Sequence, residues 1–425
     1  MQRNLFKSIL IFGILVLFFG TIAAIIYVGL TSDKSFTTSI QQDEYTLIGT
    51  TGSSMRNEDW WDYNWSYRKK ITFNHTLISN NLSNFTALIY LDSDAEVASH
   101  AQVDGDDIVF VDWKDNVTKL NHEIEYYENG TLYAWVNVTR LCCSTDTNIW
   151  MYYGNPICSC QENVADTWDS HYTMVQHMTD LTALTTKDST YRNFNGTKKG
   201  VNMPEEVNGK IFKGQDFSAA NTEYIEIPTS YGEPNGIPLA PDYDVPWTIE
   251  AWIKRKTTGS DQAIMSKMYS YGTCTGWMLD IEDNDKINLW LVYRKNIPFF
   301  KWNQIETTET YTAVDRWYYV VGTCNGNTRT SGMNIFVNGN IVGKTTVSDT
   351  LDRNPPGGPE HTMADATANI GARRSDGIDN CHFDGIIDEV RFTYNAVRNA
   401  SWINTSYMNQ NDPESFITVD VEESK

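Results

Sequence analysis

Three kinds of side chain in this 425-residue sequence have the types and spacing to do chemistry: alternating carboxylates, aromatics beside a guanidinium, and cysteines bracketing a strand. Glu123-Ile124-Glu125 puts two carboxylates on one face of an extended segment. Glycosidases need an acid and a nucleophile or base on opposite sides of the scissile bond, so such a pair is the nearest approach to that chemistry. A solvated strand face is the expectation for it. Asp280, Glu282 and Asp283 read as the approach to a turn at Asn284-Asp285. His171 and His177 lie six apart, which fits no common ligand spacing, and a packed or exposed role is expected for both. Trp290, Tyr293, Arg294 and Trp302 form a candidate sugar platform, because rings stack on the apolar faces of sugars and planar donors fix their hydroxyls. Core packing competes for the same aromatics. Trp60, Trp61 and Trp65 are assigned to the core through the first strand. The sequence has no His-Glu-x-x-His, Gly-x-Ser-x-Gly or Walker-type loop, and no enzyme activity is expected beyond a divergent polysaccharide-degrading one.

Cys142, Cys143, Cys158 and Cys160 flank the segment Asn148–Tyr153, and a cross-bridge between the adjacent pair and the Cys-x-Cys is the simplest arrangement. A four-thiolate zinc site is the alternative, with unusual spacing. Cys274 pairs best with Cys324, since both sit in Gly-Thr-Cys segments, which leaves Cys381 unpaired or bridging two chains. Oxidised cysteines imply an extracellular compartment. Ten Asn-x-Ser/Thr acceptors point the same way: Asn64, Asn74, Asn81, Asn84, Asn116, Asn129, Asn137, Asn195, Asn399 and Asn404. Strand phase supports them, because Leu132, Ala134, Val136 and Val138 alternate against Asn137. A formal charge of −21 and a pI near 4.7 exclude a nucleic-acid partner, which requires a basic face.

The elements that must position these residues begin with Ser8–Ser32, an uncharged run in which fifteen of 25 residues are Leu, Ile, Val or Phe. As a helix it reaches about 37 Å, enough to cross a hydrocarbon core of about 30 Å. Arg3 and Lys7 precede it, so the positive-inside rule puts the N-terminus in the cytoplasm and the bulk of the chain outside, on a single-pass cell-membrane protein. A cleaved signal peptide is the competing reading. Residues 1–32 are thus a cytoplasmic tip and anchor, and the Ser/Thr/Gly-rich residues 33–58 a linker.

From Trp60 onward, short alternating runs are punctuated by turn residues, with hairpins expected at Asn129-Gly130 and Asn338-Gly339. The fold class is all-β, with two tandem β-sandwich domains behind one transmembrane helix. WWDYNWSYRKKITF (60–73), NFTALIYL (84–91), DGDDIVFVD (104–112), LNHEIEYY (120–127), LYAWVNV (132–138), IWMYYGNP (149–156) and WDSHYTMVQHM (168–178) together resemble an uncharacterised domain common in archaeal and bacterial surface proteins. That domain typically precedes a laminin-G-like, concanavalin A-like sandwich. WTIEAWIKRK (247–256), RWYYVVGTCNG (316–326), MNIFVNGNIVG (333–343), ANIGARR (368–374) and FDGIIDEVRFTYNAV (383–397) are similar to the successive strands of such a jelly roll. The first domain is therefore placed at 59–178 and the second at 179–425.

The resemblance implies one structural calcium ion, with Asp388 as a ligand and Asp188 nearby, since the equivalent Asp of related sandwiches often helps hold one. With the apolar run Ser8–Ser32 as anchor, the leading expectation is a membrane-anchored binding or adhesion protein that recognises carbohydrate or another surface glycoprotein. A self-associating component of an envelope layer is the second expectation, and the polysaccharide-degrading enzyme the third.

Overall fold

The computed structural model describes residues 60–227, 239, 241, 244–269, 275–294, 300–351, 367–375 and 378–425. Ser8–Ser32 and the linker after it lie outside the described residues. Among the described residues no helix is long and apolar enough to cross a membrane. Residues from Asp59 to Lys425 make one compact, all-β unit.

The N-terminal strands are β1 (Tyr67–Phe73), β2 (Leu82–Leu91), β3 (Val109–Asp112), β4 (Lys119–Leu120), β5 (His122–Glu128), β6 (Thr131–Leu141) and β7 (Thr147–Tyr153). One sheet runs β1-β7-β3-β4 and the other β2-β6-β5. Period-two alternation turns Ile71, Phe73, Phe110, Ile149 and Met151 of the first sheet onto Phe85, Ala87, Ile89, Ala134 and Val136 of the second. The Asn129-Gly130 turn forms as expected, both residues at positive φ (48° and 79°), and joins β5 to β6. Trp65 is buried, but Trp60, Trp61 and Trp65 precede β1 and pack with Trp150 and Tyr152 in a small outer cluster. They are not the first strand's share of the main core.

The second sandwich is built around β8 (Tyr172–Thr182), β9 (Thr185–Asp188), β10 (Trp247–Arg255), β11 (Gln262–Tyr269), β12 (Thr275–Ile281), β13 (Ile287–Arg294), β14 (Phe300–Thr307), β15 (Trp317–Cys324), β16 (Met333–Val337), β17 (Lys344–Asp349) and β18 (Gly385–Tyr394). Strands β11-β12-β13-β14-β17 pair in that order, as do β16-β15-β10-β18-β8-β9. Trp247, Ile249, Trp277, Leu279, Leu289, Leu291, Val320, Ile335, Ile387 and Phe392 fill the space between. The Asn338-Gly339 turn also forms, at φ 49° and 77°.

Two corrections to the domain reading follow. A strand near the C-terminus, β19 (Ile417–Val419), returns to the first sandwich and pairs with β1, Ile71 opposite Val419. The boundary at 178 likewise falls inside β8, which pairs with β18 of the second sandwich. The helix Ala400–Asn411 was not foreseen. Asn399 caps it, accepting from Trp402 N, and it buries Thr405, Ser406, Asn409 and Gln410 as well as Trp402 and Ile403. A helix that buries polar residues has no apolar stripe for periodicity to detect.

Candidate functional site

Strands β12, β13 and β14 each turn one set of side chains into the core and the other outward. Trp277, Leu279, Leu289, Leu291 and Ile305 face inward. Met278, Val292, Trp290 and Trp302 gather on the opposite face with Ala263 and Met268 of β11. Register explains the gathering: Trp290 lies opposite Met278 and Gln304, and Trp302 opposite Val292, so the two indoles are diagonal neighbours on one face. Both are half-buried. Trp290 Nε1 donates to Asp280 Oδ1 (3.0 Å) and Trp302 Nε1 to Gln304 Oε1 (3.3 Å). Gln304 Nε2 donates in turn to Glu282 Oε1 and Asn288 Oδ1, each at 3.0 Å. The structure thus brings together Trp290 and Trp302 of the expected platform; the side chains of Tyr293 and Arg294 lie outside the described residues.

The carboxylates beneath them approach the turn as expected, but one of them is buried. Glu282, Asp283 and Asn284 do lead into the turn, with Asp285 at φ 59°. Asp280, however, is 2 % exposed on the Trp290 face. Burial, reinforced by Glu282 and only partly opposed by Arg373 and the Trp290 hydrogen bond, pushes its carboxyl well above the usual range. Burial and Asp261 raise Glu282 in the same direction.

A second assembly lies where β5 of the first sandwich meets β8 and β18 of the second. Glu123 and Glu125 are not on a solvated face: their side chains are 3 % and 1 % exposed. Glu123 accepts from Trp168 Nε1 (3.0 Å), Ser189 Oγ (2.6 Å) and Lys187 Nζ (3.2 Å), and lies 3.3 Å from His177 Nε2. His177 Nδ1 is 2.7 Å from Glu389 Oε1 and 3.6 Å from Glu125 Oε2. Trp135 Nε1 donates to Glu125 Oε2 (2.9 Å), while Glu125 Oε1 has no partner. The other oxygen of Glu389 pairs with Arg391, whose guanidinium stacks 4.4 Å over Trp135.

Burial opposes charge on every member, and the partners decide the outcome. It would raise Glu123, but His177 and Lys187 hold that carboxyl down to about 2. For Glu125, burial wins over His177 and the carboxyl rises to about 8. Burial would lower His177, yet Glu389, Glu125 and Glu123 carry it well above the usual imidazole range. His177 is therefore packed, as expected, though among carboxylates rather than apolar groups, and His171 is exposed. Six-residue spacing between histidines gave no hint of this, because the partners come from β5 and β18. The signal available was Asp388-Glu389-Val390-Arg391, three charges within an otherwise apolar strand.

The two calcium candidates sit differently. Asp188 accepts from Val175 N (2.8 Å), Thr190 N (3.1 Å), Thr190 Oγ1 (2.8 Å) and Phe194 N (2.8 Å), so donors surround both of its oxygens. A cation needs the reverse surroundings. Asp388 accepts from Lys210 N (2.8 Å) and Ile211 N (2.9 Å) through one oxygen, and its other oxygen is buried without a partner.

The six described cysteines are free thiols: Cys142, Cys143, Cys158, Cys160, Cys324 and Cys381. The cross-bridge around β7 does not form, because Cys142-Cys143 and Cys158-Ser159-Cys160 lie beyond opposite ends of a seven-residue strand, about 20 Å of extended chain. Disulfide-linked Cα atoms are less than about 7 Å apart. Cys274 lies outside the described residues, so its pairing with Cys324 does too. Of the sequons, Asn64, Asn81, Asn84, Asn129 and Asn399 are exposed, while Asn74, Asn116, Asn137, Asn195 and Asn404 are half-buried. Asn137 Nδ2, the atom that would carry a glycan, donates to Thr167 O at 3.1 Å.

Residues 221–404 match the family model described as the concanavalin A-like lectin/glucanases superfamily, and residues 104–191 match a domain of unknown function, DUF2341. No curated protein matches the chain. Among solved structures, domain 4 of an extracellular arabinanase from Geobacillus stearothermophilus, in complex with arabinotriose, is 17% identical with a TM-score of 0.37, over 55% of this chain and 98% of that one. The binding domain of botulinum neurotoxin DC is 14% identical with a TM-score of 0.36, over 57% and 52%. Trypanosoma rangeli sialidase is 13% identical with a TM-score of 0.38, over 69% and 46%. This chain spans about half the length of the last two, and similarities this low assign neither a ligand nor an activity.

Proposed function

We propose that this chain is a carbohydrate-binding protein held at the outer face of a membrane, with the β12-β13-β14 face as its glycan platform. The observation that carries this reading is the pair of half-buried indoles, Trp290 and Trp302, set diagonally over Met278 and Val292. Beside them stand the polar groups of Gln304, Glu282 and Asp280. Flat apolar rings with adjacent hydrogen-bonding groups match the alternating apolar and hydroxyl faces of a pyranose. The platform lies within the segment that matches the concanavalin A-like lectin/glucanases model. Binding is favoured over cleavage because the one Glu-x-Glu pair considered for glycosidase chemistry is buried in the seam, away from any polysaccharide. The uncharged Ser8–Ser32 run supports anchoring, and the exposed sequons support an exported, glycosylated chain.

The test is a glycan array followed by calorimetric titration of the detergent-solubilised full-length chain, with and without calcium. Trp290→Ala and Trp302→Ala are each expected to weaken binding about tenfold, roughly 1.4 kcal/mol. Absence of glycan binding together with self-association would replace this reading by that of an envelope component. Binding indifferent to both substitutions would move the platform elsewhere.

A further inference from the structure

We propose that Glu125, His177 and Glu389 form a site for a divalent transition-metal ion of the zinc or manganese class, tying the first sandwich to the second. The ligand atoms of these three residues lie within 4.8 Å of one another. Two ligands at tetrahedral zinc, each about 2.0–2.1 Å from the ion, stand about 3.4 Å apart. The 2.7 Å and 3.6 Å separations from His177 Nδ1 to Glu389 and Glu125 bracket that spacing.

Three further features distinguish this cluster from a buried ion-pair network. Glu125 Oε1 is unpartnered on a side chain that is 1 % exposed, a cost of a few kcal/mol for a buried oxygen unless something takes its lone pairs. The far side of the imidazole faces a carboxylate already fixed by three donors: Glu123, held by Trp168, Ser189 and Lys187, stands 3.3 Å from His177 Nε2. That is how outer carboxylates orient a metal-ligating histidine and fix its tautomer, here with Nδ1 turned to the side of Glu389 and Glu125. Finally, Glu389 is aimed by a local distortion. Opposite Ala251 of β10, strand β18 carries two residues, Glu389 and Val390, and Glu389 adopts φ 52°. A left-handed, non-glycine residue in a bulge is retained where it re-aims a side chain. Nitrogen plus two carboxylates suits zinc or manganese better than calcium, which prefers oxygen alone. The site is closed to bulk solvent, so the ion would enter during folding and release protons as it binds.

Metal content of the full-length protein, purified in detergent without chelator, tests this, alongside protein unfolded and refolded with zinc, manganese or cobalt chloride. About one equivalent per chain is expected, with a higher melting temperature than after refolding in chelator. The cobalt form is expected to show visible d–d bands. His177→Gln and Glu389→Gln should each lower metal affinity at least about tenfold and abolish those bands. Glu128→Gln, exposed at the end of β5, the strand that carries Glu125, should change neither. If His177→Gln does not fold, Glu125→Gln, which keeps an acceptor for Trp135, gives the same reading. Background metal in every preparation, or retention of metal by His177→Gln and Glu125→Gln alike, overturns the proposal.

Discussion

Asp280 sits beneath Trp290, on a strand whose neighbouring residues face the core, and burial first and Glu282 second hold its carboxyl well above the usual range. A raised carboxyl binds its proton more tightly in the folded than in the unfolded chain. Its contribution to stability is therefore complete below the unfolded value of about 4 and is lost as pH rises through the folded one. Asp280→Asn keeps an acceptor for the indole and removes the titration. The variant is expected to melt above the parent at neutral pH, with the difference closing toward about pH 4. A constant difference across that range in thermal melts would show that Asp280 does not titrate as described. Replacing either platform indole tests binding at this same scale, because both are half-buried and pack against the cluster of Met278 and Val292.

The helix Ala400–Asn411 joins two elements that neither sandwich could bury alone. Trp402 packs edge-on against Phe85 (5.1 Å), and Gln410 accepts from Trp252 Nε1 (2.7 Å), so the helix bridges β2 and β10. Asn409 continues the ladder of edge strand β2: its Oδ1 accepts from Leu88 N (2.7 Å) and its Nδ2 donates to Leu88 O (2.9 Å). An unpaired edge buried without partners is costly, and one side chain here satisfies both groups. Asn409→Leu fills similar space but leaves both backbone groups unpaired, with an expected loss of about 3 kcal/mol in denaturant titrations. A loss under about 0.5 kcal/mol would mean that water replaces the amide. The β5–β6 turn is equally demanding. A Cβ at Gly130 would lie 2.1 Å from Asp94 O with φ at 79°, so Gly130→Ala should destabilise where Asn129→Gly does not.

Across the whole molecule, the C-terminal tail closes the first sandwich. β19 pairs with β1, Glu423 meets Arg68 at 2.7 Å, and Glu422 accepts from Tyr153 (2.8 Å). With β8 already in the second sandwich, the chain crosses between the two at both ends of the second. Heat should therefore unfold the described unit in one calorimetric transition rather than two. Removing residues 412–425 exposes the β1 edge and should lower the melting temperature and promote association, read by light scattering. Two well-separated transitions in the intact chain would contradict this coupling.

Sequence alone determined the all-β class, the order of the two sandwiches, both Asn-Gly turns and the apolar face of β6. Those properties are local, set by period-two alternation and by backbone angles that few residues adopt. It also singled out Trp290 and Trp302, because they lie on adjacent strands of one meander. Tertiary structure alone decided the rest. Glu123 and Glu125 have the spacing of a solvated face, and only the approach of β8 and β18 buries them against His177 and Glu389. A bulge at Glu389 and a strand returning from residue 417 depend on contacts made across hundreds of residues. No window of sequence records which faces will meet, since the free energy that selects the pairing belongs to the assembled core.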